Sequence, residues 1–261
     1  MFQNLAPVNK TRHQNKRIKA INGFAFASQF HIASVMVHEF VRASAIYPVV
    51  FLEDKEKDEF RPVVLMGLDA GENLFVEADG KWKASYIPAI IRRYPFALAS
   101  TGEEGQFTVC IDESSDLVSD TDGVPLFDDK GEPAEALENV KRYLGELQQM
   151  DAFTKDFCSY LSEHNMFTPL NMRVRQADQI KNITGCYVIN EERLNNLSDE
   201  RFLEMRTRRY LPALYSHLGS LAQIERLVML KDGRSGISTV DNTSVEDVPA
   251  TRKAAKAAKP A

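Results

Sequence analysis

"YPVVFLEDKEKDEFRPVVLMGL" (residues 47–68) decides the fold class. Two apolar runs, YPVVFL over 47–52 and FRPVVLMGL over 60–68, flank the charged tip EDKEKDE. Runs of this length around a polar tip read as the two strands of an antiparallel hairpin. Both strands are apolar on both faces, which places them inside a sheet rather than at its edge. Pro62 is read as lying near a strand start, where a missing N–H is tolerable.

Working outward, FAFASQFHI (24–32) alternates like a strand and VMVHEFVRASA (35–45) reads as a short helix. NLFVEADGKWKASYI (73–87) predicts a second hairpin turning at Asp79-Gly80. QFTVCIDE (106–113) is a half-buried strand, with Phe107, Val109 and Ile111 at period two. Residues 114–132 are rich in Asp, Ser and Gly and read as a loop. Beyond Pro133, Leu137, Val140, Leu144, Leu147, Met150, Phe157 and Leu161 recur at helical spacing. Residues 170–190 resemble a hairpin, Ser198 is an N-cap, and Pro212 kinks or restarts the following helix. Strands and helices are segregated along the chain, which makes the fold α+β: a β-rich N-terminal half with antiparallel hairpins, a helical C-terminal half and a disordered basic tail. The expected organisation is a loosely held basic arm over 1–22, a domain over 23–231 (β-rich 23–132, helical with one hairpin 133–231) and a tail over 232–261.

The chain of 261 residues is 44% hydrophobic and 26% charged, a normal globular balance. Its net charge of −5 is unevenly placed. Setting aside nine cations in residues 1–22 and 249–261 leaves 23 Lys/Arg against 37 Asp/Glu, so the body carries −14. Such a body repels nucleic acid. Cys110, Cys158 and Cys186 are odd in number and widely spaced, which argues against a disulfide framework and a Cys-based zinc site. Reduced thiols, no long apolar span and no good signal-peptide core lead to the expectation of a cytoplasmic protein without a transmembrane segment.

Familiar catalytic patterns are missing. There is no Gly-rich phosphate loop and no G-x-S-x-G elbow, and His38-Glu39 lacks the second His of a helical zinc protease. Asp112, Glu113, Asp116, Asp120 and Asp122 do not have calcium-loop spacing. Ser216 and His217 are adjacent on a helix and diverge, while Ser220 is within reach of His217. No catalytic residue, metal or cofactor is assigned.

The remaining cluster is ENLFVEADGKWKASYIPAIIRRYPF (72–96), which holds the only Trp. Pro88 opens a short helix that ends before Pro95, and Arg92 and Arg93 lie at its C-terminal end. Adjacent helical positions diverge, so one Arg faces solvent and the other faces inward. An inward Arg either pairs with a carboxylate or an aromatic face in a packed seam, or binds an anionic ligand beside Trp82 and Tyr86. The candidate ligand-binding residues are Asn73, Trp82, Tyr86, Arg92, Arg93 and His217, with a small molecule or a peptide as ligand and a protein as a further candidate partner.

YPVVFL, GLDAGENLFVEADGKWKASYIPAIIRRYPF, GVPLFDDKGEP, GCYVINEERLNNL and YSHLGSLAQIERL, in this order and spacing, resemble the SapC family of bacterial proteins across roughly Phe24 to Leu230. The resemblance implies a link to a bacterial surface-layer (S-layer) array, from which the family takes its name. It also implies a neighbourhood of TonB-dependent receptors and flavin-dependent tryptophan halogenase-like proteins. It supplies no catalytic residues. The expectation is an accessory or binding protein of a cell-envelope or nutrient-uptake system. The alternatives are an enzyme of undescribed type using the same cleft, or a surface-layer-associated structural protein.

Overall fold

The computed structural model describes residues 2–102, 105–176 and 179–235. Its centre is the hairpin of the opening stretch, strands Val49–Asp54 and Glu59–Leu65, in register with Val49 opposite Val64 and Phe51 opposite Pro62. Neither strand is at an edge. Glu59–Leu65 also pairs with Ile32–Ser34, and Val49–Asp54 pairs with Tyr187–Ile189, which in turn pairs with Phe167–Pro169. The result is an antiparallel five-stranded sheet whose outer strands, Ile32–Ser34 and Phe167–Pro169, come from the two halves of the chain.

Both sheet faces are covered, as the continuous apolar runs require. On one face Phe51 packs with Phe40, Phe157 and Tyr210, all fully buried. On the other, Val50 and Val63 pack with Leu170, Val188 and Ile224 beneath the hairpin Met172–Gln176/Gln179–Ile183 and the helix Gln223–Ser235. Pro62 is mid-strand rather than at a strand start. The Leu65 N–H bonds the Pro48 carbonyl, so by antiparallel alternation position 62 turns its N toward the short edge strand, which stops at Ser34. Its carbonyl still accepts from the Val35 N–H at 3.2 Å.

The long helix runs from Glu135 to Glu163 and buries Leu137, Leu144, Leu147, Phe157 and Leu161, the stripe read from the sequence. Ser198 caps the helix Asp199–Thr207, and Pro212 lies in the first turn of a new helix, Leu211–Ser220. The architecture is therefore α+β, with strands dominating the N-terminal half and helices the C-terminal half. No described helix is long and apolar enough to cross a membrane. The final helix reaches Ser235, and the expectation of a disordered tail beyond it lies outside the described residues.

Three further expectations are corrected. Residues 24–32 do not form a strand: Ala25–Ala27 is a 3-10 turn and the strand begins at Ile32. The alternating aromatics serve packing instead, with Phe26 stacked on Tyr94 at 4.2 Å and Phe24 edge-on to Trp82 at 5.5 Å. The hairpin over 73–87 is reduced to a turn, with Gly80 at φ +82 and one bridge between Val76 and Trp82. The basic N-terminal stretch is docked rather than loose. Leu5–Pro7 pairs with Phe107–Asp112, which also pairs with Phe96–Ser100, and Arg17–Ile18 sits between Val118–Ser119 and Val124–Pro125. His13 is fully buried and bonds the Glu113 carboxylate at 3.1 Å. The cationic side chains hid this docking, because they point outward from a short backbone-paired segment.

Candidate functional site

The short helix Ala89–Arg92 is positioned by a buried carboxylate. Glu39 is 5% exposed, and its side chain accepts three hydrogen bonds: from Met36 N at 2.9 Å, Ala89 N at 2.8 Å and the Tyr86 hydroxyl at 2.5 Å. Two of these orient the chain that leads into Arg93. Burial, then the neighbouring Glu39 carboxylate, push the Tyr86 phenol well above its ordinary range, so it remains a donor. Thr154 of the long helix accepts from Val37 N at 3.0 Å and holds that helix against the same corner.

Arg92 and Arg93 diverge as helical geometry demands. Arg92 is exposed; its Nε donates to the Ile87 carbonyl at 3.0 Å, and its guanidinium lies near the Tyr86 and Tyr143 rings. Arg93 turns inward. Its guanidinium carbon stands 5.6 Å from the Phe2 ring centre, and its buried Nε has no hydrogen-bond partner among the described residues. Burial lowers its pKa, which nearby Tyr143 and Asp151 partly offset, yet an arginine so placed stays cationic.

Arg93 lines a cavity of about 400 Å³ between the end of the main sheet and the long helix. The apolar wall includes Met36, Phe60, Ile90, Leu98, Leu144 and Leu147. Asp151 also lines the cavity, but pairs with Lys155 at 3.2 Å and makes no ion pair with Arg93. The arrangement is a chamber of mixed polarity, walled also by Asp54, Glu59, Lys57, Arg61 and Lys155, with one half-buried guanidinium whose buried Nε is under-satisfied. A carboxylate fits that deficit, because it accepts from the guanidinium fork with two oxygens.

The other candidates are elsewhere. Trp82 does not line the cavity; its Nε1 donates to the Tyr47 hydroxyl at 2.9 Å, which donates to the Tyr86 carbonyl at 2.5 Å. Asn73 is 1% exposed and ties two loops, with Nδ2 donating to the Ala27 carbonyl and Oδ1 accepting from Phe75 N. His217 is fully buried in the core. Its Nδ1 donates to the Val49 carbonyl at 2.8 Å and Nε2 accepts from Ile189 N at 3.1 Å, so the ring is neutral and both nitrogens are engaged. Ser220 bonds the His217 backbone carbonyl, not the ring. The structure therefore brings Tyr86, Arg92 and Arg93 to one corner, where Arg93 alone of the six candidates lines the cavity, and places Asn73, Trp82 and His217 elsewhere. Sequence reasoning missed Glu39 and Asp151. Glu39 had one visible signal, a carboxylate inside the apolar run VMVHEFV.

Fold and site together define an α+β protein with an antiparallel sheet, a long helix laid across its end, and an arginine-bearing cavity between them. The chain belongs to the SapC family, whose model matches residues 8–227. No curated protein and no solved structure matches it.

Proposed function

We propose that this SapC-family chain is a binding protein that takes a small anionic molecule in the Arg93 cavity, as an accessory of a cell-envelope or nutrient-uptake system. The observation that carries the reading is the buried Arg93 Nε, without a partner among the described residues, in the wall of a chamber of about 400 Å³. Buried polar groups in native proteins are almost always satisfied, so an exception in a cavity wall marks a place for an external acceptor. The volume is within the range of small-molecule sites. An enzymatic reading through His217 has no support from the geometry, since both ring nitrogens are held by backbone groups.

Arg93→Met is the test. It keeps the apolar stem and removes the charge. We expect hexanoate, the simplest probe, to bind the wild type in calorimetric titration and to lose at least tenfold in affinity in the variant, with the melting temperature unchanged or higher. A variant that binds hexanoate as well as the wild type refutes the assignment. A large fall in melting temperature would instead show that Arg93 has a carboxylate partner within the fold.

A further inference from the structure

A second cavity, about 700 Å³, adjoins the first, and the two share Leu98, Phe107 and Gln148 in their walls. One face of the long helix floors both. Leu137, Lys141, Gly145, Gln148, Asp151 and Lys155 follow one another at three- and four-residue spacing. That stripe spans about 27 Å of helix. Among the described residues, the lining of the second cavity contains no Asp or Glu, and it includes Lys10 and Lys141.

Two features mark the junction. Phe107 is 42% exposed where the cavities meet. Gly145 interrupts the middle of a 29-residue helix, where glycine destabilises relative to alanine, and a Cβ added there would meet nothing within 4 Å. The glycine leaves open space where almost any other residue would fill it.

We propose that the two cavities are halves of one groove that binds an unbranched alkyl carboxylate. The carboxylate sits on Arg93, and the chain passes over Leu98 and Phe107 into the space above Gly145. This rests on the Arg93 reading for the head group and adds the chain. The apolar wall of Leu98, Phe107 and Val109 suits methylenes. Among the described residues the acids of the joint lining are confined to the first cavity, while in the second Lys10 Nζ donates to the Lys130 carbonyl and Lys141 pairs with Glu138 at 2.8 Å.

The experiment compares hexanoate, dodecanoate and N-acetyl-trileucine in calorimetric titrations of the wild type and Gly145→Leu. Each buried methylene is worth roughly fourfold in affinity, so dodecanoate should bind the wild type at least tenfold more tightly than hexanoate. Gly145→Leu places a side chain in the second cavity, starting from a Cβ that meets nothing within 4 Å. It should erase that gain while leaving hexanoate within about twofold and the melting temperature unchanged or higher. Equal affinities of the two alkyl chains in the wild type, or a silent Gly145→Leu, overturn the groove while leaving the Arg93 site standing. Failure of all three ligands to bind the wild type overturns both. Tighter binding of the tripeptide carboxylate than of dodecanoate overturns the alkyl assignment in favour of a peptide end.

Discussion

His217 shows how a polar residue is made structural by its surroundings. Burial lowers its pKa from 6.5 to about 4, only partly opposed by the bond to Val49. The folded state therefore prefers the neutral ring. The stability this gives is complete above the unfolded pKa near 6.5 and is lost as pH falls toward 4, a contribution of about 3 kcal/mol. An NMR titration should find the His217 ring neutral at pH 5.5, where a free imidazole is mostly protonated. A midpoint near 6.5 would mean that the ring is hydrated. Asp112 shows the same logic with the opposite charge preference. Burial raises its pKa, but hydrogen bonds from Ser114 and from the N–H groups of Gln3 and Asn4 outweigh burial and hold it below the ordinary carboxylate range. Its stabilisation is present above pH ~4 and disappears as pH falls through the depressed folded pKa.

At the scale of elements, Asp112 decides whether the N-terminal strand is attached. The strand Leu5–Pro7 is three residues long and contains Pro7, so its ladder alone is weak. The carboxylate adds two backbone hydrogen bonds just before it, at 3.0 Å each. Asp112→Ala leaves those N–H groups without an acceptor and should cost about 1–3 kcal/mol. Trypsin should cut after Lys10 and Arg12 at least tenfold faster in that variant than in the wild type. Equal rates would show that the strand is held by its ladder and by His13 rather than by Asp112. The long helix is the opposite case. It lacks a side-chain N-cap and stands on its packing, with Phe157 fully buried edge-on to Phe40 and Tyr210.

For the molecule as a whole, the central sheet ties the two halves together. Tyr187 pairs with Phe51 across 136 residues of sequence, and the His217 ring bridges Val49 and Ile189. We expect one cooperative unfolding transition. Trp82 fluorescence reports the N-terminal half and far-ultraviolet circular dichroism reports mainly the C-terminal helices, and their urea midpoints should coincide. Phe157→Ala should lower both together, by about 3–5 kcal/mol. Separate midpoints would reveal two independent domains.

The sequence by itself determined those elements whose signal is local and periodic. The apolar runs around EDKEKDE gave the central hairpin, the three- and four-residue spacing from Leu137 to Leu161 gave the long helix, and Ser198 and Pro212 marked helix starts. It also placed two of its six candidate site residues, Arg92 and Arg93, next to each other on a helix, where neighbouring positions must diverge. Tertiary structure decided the rest. Phe24 and Phe26 alternate like strand residues but pack from a turn, since Trp82 and Tyr94 stand where they can meet both rings. Leu5–Pro7 has no period to read, and its partner strand is about a hundred residues away. That Arg93 rather than Arg92 faces the cavity, and that Gly145 borders open space, depends on helix and sheet meeting at one angle and not another. Periodicity records what each segment must bury; an unfilled volume belongs to no segment and exists only once distant ones have packed.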